Sequence, residues 1–156
     1  MKKVIIGFTG TRNGMTDEQR ESVVDLVQNL KHSLSTMASI VGLHGDCVGA
    51  DADFHDICRA EELDVHQRPC TFKNMRARTD AMEIAKPMTA MVRNQLIVDD
   101  CVVLVACPPT VKELKRSGTW ATIRMGRKAN KQVVIIYPDG TLVEDCAGPL
   151  DEPVRD

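Results

Sequence analysis

The run CVVLVAC at residues 101–107 holds seven consecutive residues without a charged or amide side chain. A strand with one face in water alternates apolar and polar residues. A run that is apolar at every position therefore predicts a strand buried on both faces. KKVIIGFTG at 2–10, after its two lysines, and QVVIIYP at 132–138 have the same character; SIVGLHG at 39–45 is shorter and DVHQRPC at 64–70 weaker. Strands covered on both sides need a layer of packing on each face, which helices supply in α/β proteins.

The intervening segments carry helical signals. After the loop TRNGM, Thr16 and Gln19 have the spacing of a capping box. Val23, Val24, Leu26, Val27, Leu30, Leu34 and Met37 then recur at helical spacing. GADADFHDICRAEEL at 49–63 predicts a second helix with Ala50, Phe54, Ile57 and Cys58 facing inward. Residues 81–99 read as helix in two pieces, divided at Pro87. RSGTWATIRMGRK at 116–128 predicts a helix entered through a small-residue turn, and residues 139–141 predict a turn before the end of the chain.

Strands alternating with helices predict an α/β fold: a single domain with a mainly parallel sheet flanked by helices on both faces. A length of 156 residues suits one such domain. The domain is expected over residues 1–140. Residues 141–156, acidic and proline-containing, read as a C-terminal tail with little to offer a core.

Charge and cysteine usage exclude several classes. The net charge of −2 gives no global attraction to nucleic acid or acidic membranes, so any anion site must be local. The aromatic content of 3% also disfavours single-strand stacking. Six scattered cysteines without a C-x-x-C pair argue against a zinc site or a disulfide framework. The four histidines show no ligand spacing; His44, beside Gly45 at a strand end, is the one that stands out. No metal and no resident cofactor is expected. No segment approaches transmembrane length, and the short run after Lys2 and Lys3 reads as a strand rather than an export signal. A cytoplasmic protein is expected.

In open parallel sheets ligands sit beyond the carboxyl ends of the strands, where the strand order reverses. After the first strand come Thr9, Gly10 and Arg12, in a pattern that is not the G-x-G-x-x-G dinucleotide fingerprint. After the second come Gly49 and Asp51; the aspartate either favours a helix N-terminus or accepts hydrogen bonds from a sugar. After CVVLVAC come Ser117, Gly118 and Thr119, where free backbone N–H groups make an anion site and where hydroxyls also serve as plain caps. Trp120 either stacks on a base or packs in the core. Arg76 and Arg78 suit a basic flap or a solvated loop, and Arg93 with Asn94 interrupts an apolar helix in a way that suggests a polar task or a local pairing.

Three segments in this order, GFTGTR, LHGDCVGAD and MVRN…DDCVVLVA…SGT, resemble the SLOG superfamily of Rossmann-like nucleotide-binding domains. The likeness is to its YspA-like branch, whose pattern runs G-S-R, H-G-x-A-x-G-A-D, R-N and then a strand before G-x-G-T. It covers about residues 4–137. The superfamily includes the LOG phosphoribohydrolases and the DNA-processing protein DprA. The resemblance implies a nucleotide or nucleotide-derived ligand in one crevice lined by Thr9, Gly10, Arg12, Gly49, Asp51, Arg93, Asn94, Ser117, Gly118 and Thr119. LOG enzymes carry P-G-G-x-G-T-x-x-E with a catalytic glutamate; the matching residue here is Thr122.

The expected function is therefore binding of a nucleotide or nucleotide-derived ligand, as a sensor, carrier or sponge. The alternative is a nucleotide N-glycosidase, acting on a nucleoside monophosphate with Asp51, or else Asp53, as its catalytic group. Binding of DNA in the manner of DprA ranks below both. A homodimer or higher homo-oligomer is expected from the family likeness, with Met82, Met88, Met91 and Leu96 as a candidate apolar surface that a buried core face would explain equally well.

Overall fold

Each apolar run becomes a strand of one sheet in the computed structural model, which describes residues 2–34 and 36–146. In chain order the elements are β1 (Lys2–Gly10), α1 (Asp17–Leu34), β2 (Ala38–His44), α2 (Ala50–Ala60), β3 (Asp64–Gln67), a 3-10 turn (Lys73–Met75), β4 (Glu83–Ile84), α3 (Ala90–Asp100), β5 (Val103–Cys107), α4 (Gly118–Lys128), β6 (Gln132–Ile136) and β7 (Leu142–Cys146). The seven strands lie in the order β4-β3-β2-β1-β5-β6-β7, all parallel except the β6–β7 pair. This is a single Rossmann-like α/β domain.

The sheet separates two cores, and strand alternation feeds both. Ile6, Phe8, Val105, Cys107, Val134 and Ile136 pack with α1 and α2 on one face, where Val23, Val27, Phe54 and Ile57 are buried. Leu104, Ala106, Val133 and Ile135 pack with α3 and α4 on the other, against Ile97, Val98, Trp120 and Ile123. Both sets are apolar, which is why the strands read as unbroken apolar runs. Phe8 stacks on Phe54 with ring centroids 4.5 Å apart. The capping box is present in both directions: the Gln19 N–H donates to Thr16 Oγ1 at 2.9 Å and the Thr16 N–H to Gln19 Oε1 at 3.0 Å. Met37 lies beyond the helix end and is exposed.

Two segments depart from the sequence reading. Residues 81–89 are not helical. Their backbone joins the sheet edge, with the Met82 N–H donating to the Val65 carbonyl and the Ala85 N–H to the Gln67 carbonyl, each at 2.9 Å. Pro87 disfavours helical backbone at Lys86, so α3 starts only at Ala90. Beyond residue 140 the chain continues as β7. Gly140 takes φ +86 in the turn and returns the chain antiparallel along β6, from Ile136↔Leu142 to Gln132↔Cys146. Leu142 and Val143 are about two-fifths exposed, so β7 adds ladder hydrogen bonds more than core. Residues 147–156 of the expected tail lie outside the described residues.

Candidate functional site

From β1 the sheet grows through β2, β3 and β4 to one side; the chain then crosses to β5, β6 and β7 on the other. The strand order thus reverses between β1 and β5, where strand-end loops diverge and leave a crevice. A cavity of about 750 Å³ opens there. That lies within the roughly 300–1,000 Å³ of ligand pockets and is too large for a bare phosphate. Its walls come from the loops after β1, β2 and β5, the face of α3 and the 3-10 turn.

Of the ten residues singled out from sequence, nine line this cavity: Thr9, Gly10, Arg12, Asp51, Arg93, Asn94, Ser117, Gly118 and Thr119. Gly49 is not among the lining residues. Its φ is +91, and a Cβ there would lie 2.2 Å from the Arg12 carbonyl oxygen. The close approach is between two strand-end loops, locked by the Ala50 N–H donating to the Thr11 carbonyl at 2.9 Å.

The end of the cavity at α4 is built to receive an anion. Ser117 caps α4, its Oγ accepting from the Trp120 N–H at 3.2 Å. The N–H groups of Gly118 and Thr119 find no acceptor among the described residues, and they point along the positive end of the helix. A Cβ on Gly118 would meet nothing within 4 Å, so no protein contact requires glycine there. Arg116, which no sequence pattern singles out, lines the cavity without an ion-pair or hydrogen-bond partner among the described residues. Among the described residues, the Arg12 guanidinium has a hydrogen-bond partner only in the sulfur of Met75, at 2.9 Å. Arg93 makes a third arginine, and among the described residues the single lining carboxylate is that of Asp51. Three cations against one anion make the crevice electropositive in a chain of net charge −2.

Asp51 and Arg93 are committed to the walls. Asp51 Oδ2 accepts from the N–H groups of Gly45 and Cys47, each at 3.1 Å. Burial raises its carboxyl to about 6, against the lowering pull of Arg93 and the two N–H donors. Arg93 is buried; its Nη1 donates to the carbonyls of Gly45 at 2.6 Å and Arg68 at 3.3 Å, and its Nε to Asn94 Oδ1 at 2.7 Å. Cys47 also faces the cavity, but burial and then Asp51 push its thiol up, so it presents no ready thiolate.

The other candidates fall elsewhere. Trp120 is buried in the second core, its Nε1 donating to Thr110 Oγ1 at 3.3 Å. Thr122 is buried within α4 and donates back to the Gly118 carbonyl at 2.9 Å, so no carboxylate occupies the LOG glutamate position. Asp53 pairs with Arg20 at 3.0 Å and accepts from the Met15 N–H. Arg76 is pinned to fully buried Asp46 at 3.0 Å rather than closing as a flap. Burial pushes the Asp46 carboxyl up, but the donors from Thr79 and Arg76 outweigh it and leave it below its ordinary value. No group of three or more metal-ligating side chains gathers among the described residues.

His44 proves to be buried and bonded. Its Nδ1 accepts from the Asp46 N–H at 2.8 Å, its Nε2 faces His55 Nδ1 at 3.1 Å, and His55 Nε2 reaches Asp80 Oδ1 at 3.0 Å. It lies behind the cavity wall, not in it.

No family model and no curated protein matches the sequence. Among solved structures, the chain is similar to the molybdenum cofactor binding protein from the phototrophic bacterium Rippkaea orientalis, at 19% identity and a TM-score of 0.66, over 88% of this chain and 78% of that one. It is also similar to the structural-genomics target TM1055, at 17% identity and a TM-score of 0.58, over 85% and 72%. At these identities the likeness is one of fold. Among the described residues no helix is long and apolar enough to cross a membrane.

Proposed function

We propose that this domain, SLOG-type in its motifs, binds a phosphate-bearing nucleotide or nucleotide-derived ligand in the switch-point crevice and holds it without turnover. One observation carries the reading: among the described residues, Arg12, Arg116 and the N–H groups of Gly118 and Thr119, which have no acceptor, converge on one cavity that contains a single carboxylate. Unpaired cations and a free helix start favour a phosphate, and the cavity volume leaves room for a sugar and a ring system. Asn94, Thr9 and the outer edge of Asp51 suit sugar hydroxyls. A cofactor held by a similar fold in the Rippkaea orientalis protein is in keeping with a carrier or sensor role.

A second reading, hydrolysis of an N-glycosidic bond, rests on Asp51, which lines the cavity with its carboxyl raised to about 6. Against it, one of the Asp51 oxygens already accepts two backbone N–H groups, and among the described residues no second carboxylate lines the site. Oxocarbenium chemistry generally draws on a pair of acids.

Native mass spectrometry and calorimetry with ribonucleoside 5′-monophosphates and ribose 5-phosphate test both. Binding that Arg116→Ala weakens, with the ligand released intact, is the expected result. Free base accumulating over time turns the reading to a glycosidase. Binding indifferent to the phosphate overturns the anion role of residues 116–119.

A further inference from the structure

The cavity has a second, chemically different end. The chain contains five aromatic residues of the Phe, Trp and Tyr type. Phe8, Phe54 and Trp120 are buried to 2% or less and Tyr137 is half-buried. Phe72 is the exception, 66% exposed, and it lines the cavity at the entry to the 3-10 turn. Leaving a phenylalanine in water forgoes burial that the other rings obtain. Val48, 38% exposed, and Met75 line the same end.

This end is also held in place. The Val48 N–H donates to the Met75 carbonyl at 2.8 Å, and the Ala77 N–H to the Asp46 carbonyl at 2.8 Å. The Thr71 N–H donates to the Met88 carbonyl at 3.0 Å, just before Phe72. The ring is therefore carried on a turn tied to the β2–α2 loop on one side and to the entry of α3 on the other. Met75 is tied as well through Arg12, whose Nη1 reaches its sulfur. One arginine thus stands where the polar and apolar ends meet.

We propose that Phe72, with Met75 and Val48, is the platform on which a planar heteroaromatic ring of the ligand stacks, while its phosphate occupies the α4 end. This rests on the phosphate reading above and deepens it by assigning the ring subsite to the β3–β4 crossover, since Trp120 is enclosed in the core. An aromatic face, a thioether and a branched apolar side chain suit any π-face and carry no hydrogen-bond code, so the platform selects flat rings over bare sugars rather than one base over another.

The test compares wild type with Phe72→Ala and Phe72→Tyr by calorimetry, using ribonucleoside 5′-monophosphates, flavin mononucleotide and ribose 5-phosphate as probes. Phe72 is exposed, so both variants fold; far-ultraviolet circular dichroism checks this. The expected result is that Phe72→Ala weakens the ring-bearing probes by about tenfold and leaves ribose 5-phosphate unchanged, while Phe72→Tyr restores binding. Ring-bearing and ring-free phosphates binding wild type equally, with Phe72→Ala altering neither, overturns the platform and spares the phosphate reading. Ring-bearing probes that bind with Phe72→Ala unaffected and Arg116→Ala weakened overturn it in the same way. No probe binding at all overturns both.

Discussion

The Nη1 of Arg93, on α3, lies 2.6 Å from the carbonyl oxygen of Gly45, at the end of β2. The same nitrogen reaches the Arg68 carbonyl beyond β3, so one buried guanidinium ties three elements around the cavity. A Cβ on Gly45 would sit 2.2 Å from that nitrogen, so glycine leaves room for the bond. Arg93→Ala removes a charged donor from buried carbonyls and is expected to cost about 2–3 kcal/mol of stability, read from urea unfolding. Arg93→Lys, which lacks the Nε–H that donates to Asn94 Oδ1, recovers only part of it. A loss of ligand affinity with unchanged stability contradicts this role.

The Asp51 carboxyl gives a pH dependence of definite sign. Burial raises it from 3.8 to about 6 in the folded protein. The folded state therefore binds the proton more tightly than the unfolded chain, and Asp51 contributes stability that is full below its unfolded value and lost as pH rises through about 6. Asp51→Asn keeps an acceptor for the Gly45 and Cys47 N–H groups and removes the charge. It is expected to be more stable than wild type at neutral pH by about 1–3 kcal/mol, with the advantage vanishing toward about pH 4. Unfolding midpoints in urea across that range decide the matter.

His44 acts in the opposite sense. Because the Asp46 N–H donates to its Nδ1, the neutral ring carries its proton on Nε2, toward His55 Nδ1, and His55 in turn donates from Nε2 to Asp80. Burial, then the neighbouring His55, lowers His44 from 6.5 to about 3; Asp46 opposes and Arg93 adds to the lowering. Its contribution to stability is present above 6.5 and lost as pH falls toward about 3. In wild type this loss on acidification is offset by the gain from Asp51. A His44→Gln variant is expected to show a shallower loss of stability below pH 6.5, and Asp51→Asn a steeper one. Parallel shifts of both curves would show that neither group titrates in this way.

These pairings show which parts of the molecule were legible in the sequence. Runs such as CVVLVAC encode doubly covered strands, and the spacing from Thr16 to Gln19 encodes a cap, because both signals are local and periodic. The strand-end rule drew attention to Thr9, Arg12, Asp51 and Ser117 because topology fixes where the loops of a parallel sheet converge. What escaped depends on tertiary contact. Phe72 sits in TFKNMRARTD, a stretch with no period, and Arg116 reads as one more basic residue until the β5–α4 loop delivers it to the cavity. Arg76 looked free because its partner Asp46, the residue next to Gly45, is thirty positions away. β4 and β7 are edge strands whose hydrogen bonds, not their side chains, define them, so hydrophobic patterning cannot announce them.

Two glycines separate structural need from ligand need. Gly49 has φ +91, and an added Cβ would lie 2.2 Å from the Arg12 carbonyl oxygen and 2.4 Å from its carbonyl carbon. Neither atom belongs to a side chain that could swing away, so Gly49→Ala must strain the backbone and push two loops apart. It is expected to lose about 2 kcal/mol or more of stability. Gly118 is the reverse. It is the first residue of α4, its φ is not positive, and an added Cβ meets nothing within 4 Å. Gly118→Ala is therefore expected to leave stability within about 0.5 kcal/mol or raise it slightly, since alanine is the better helix former. Gly118 lines the cavity, so a methyl group added there is expected to crowd the proposed phosphate site and lower affinity for a ribonucleoside monophosphate by about tenfold. Thermal unfolding of both variants and calorimetry on Gly118→Ala read these three expectations. If Gly118→Ala leaves both stability and affinity untouched, the anion does not sit at the start of α4.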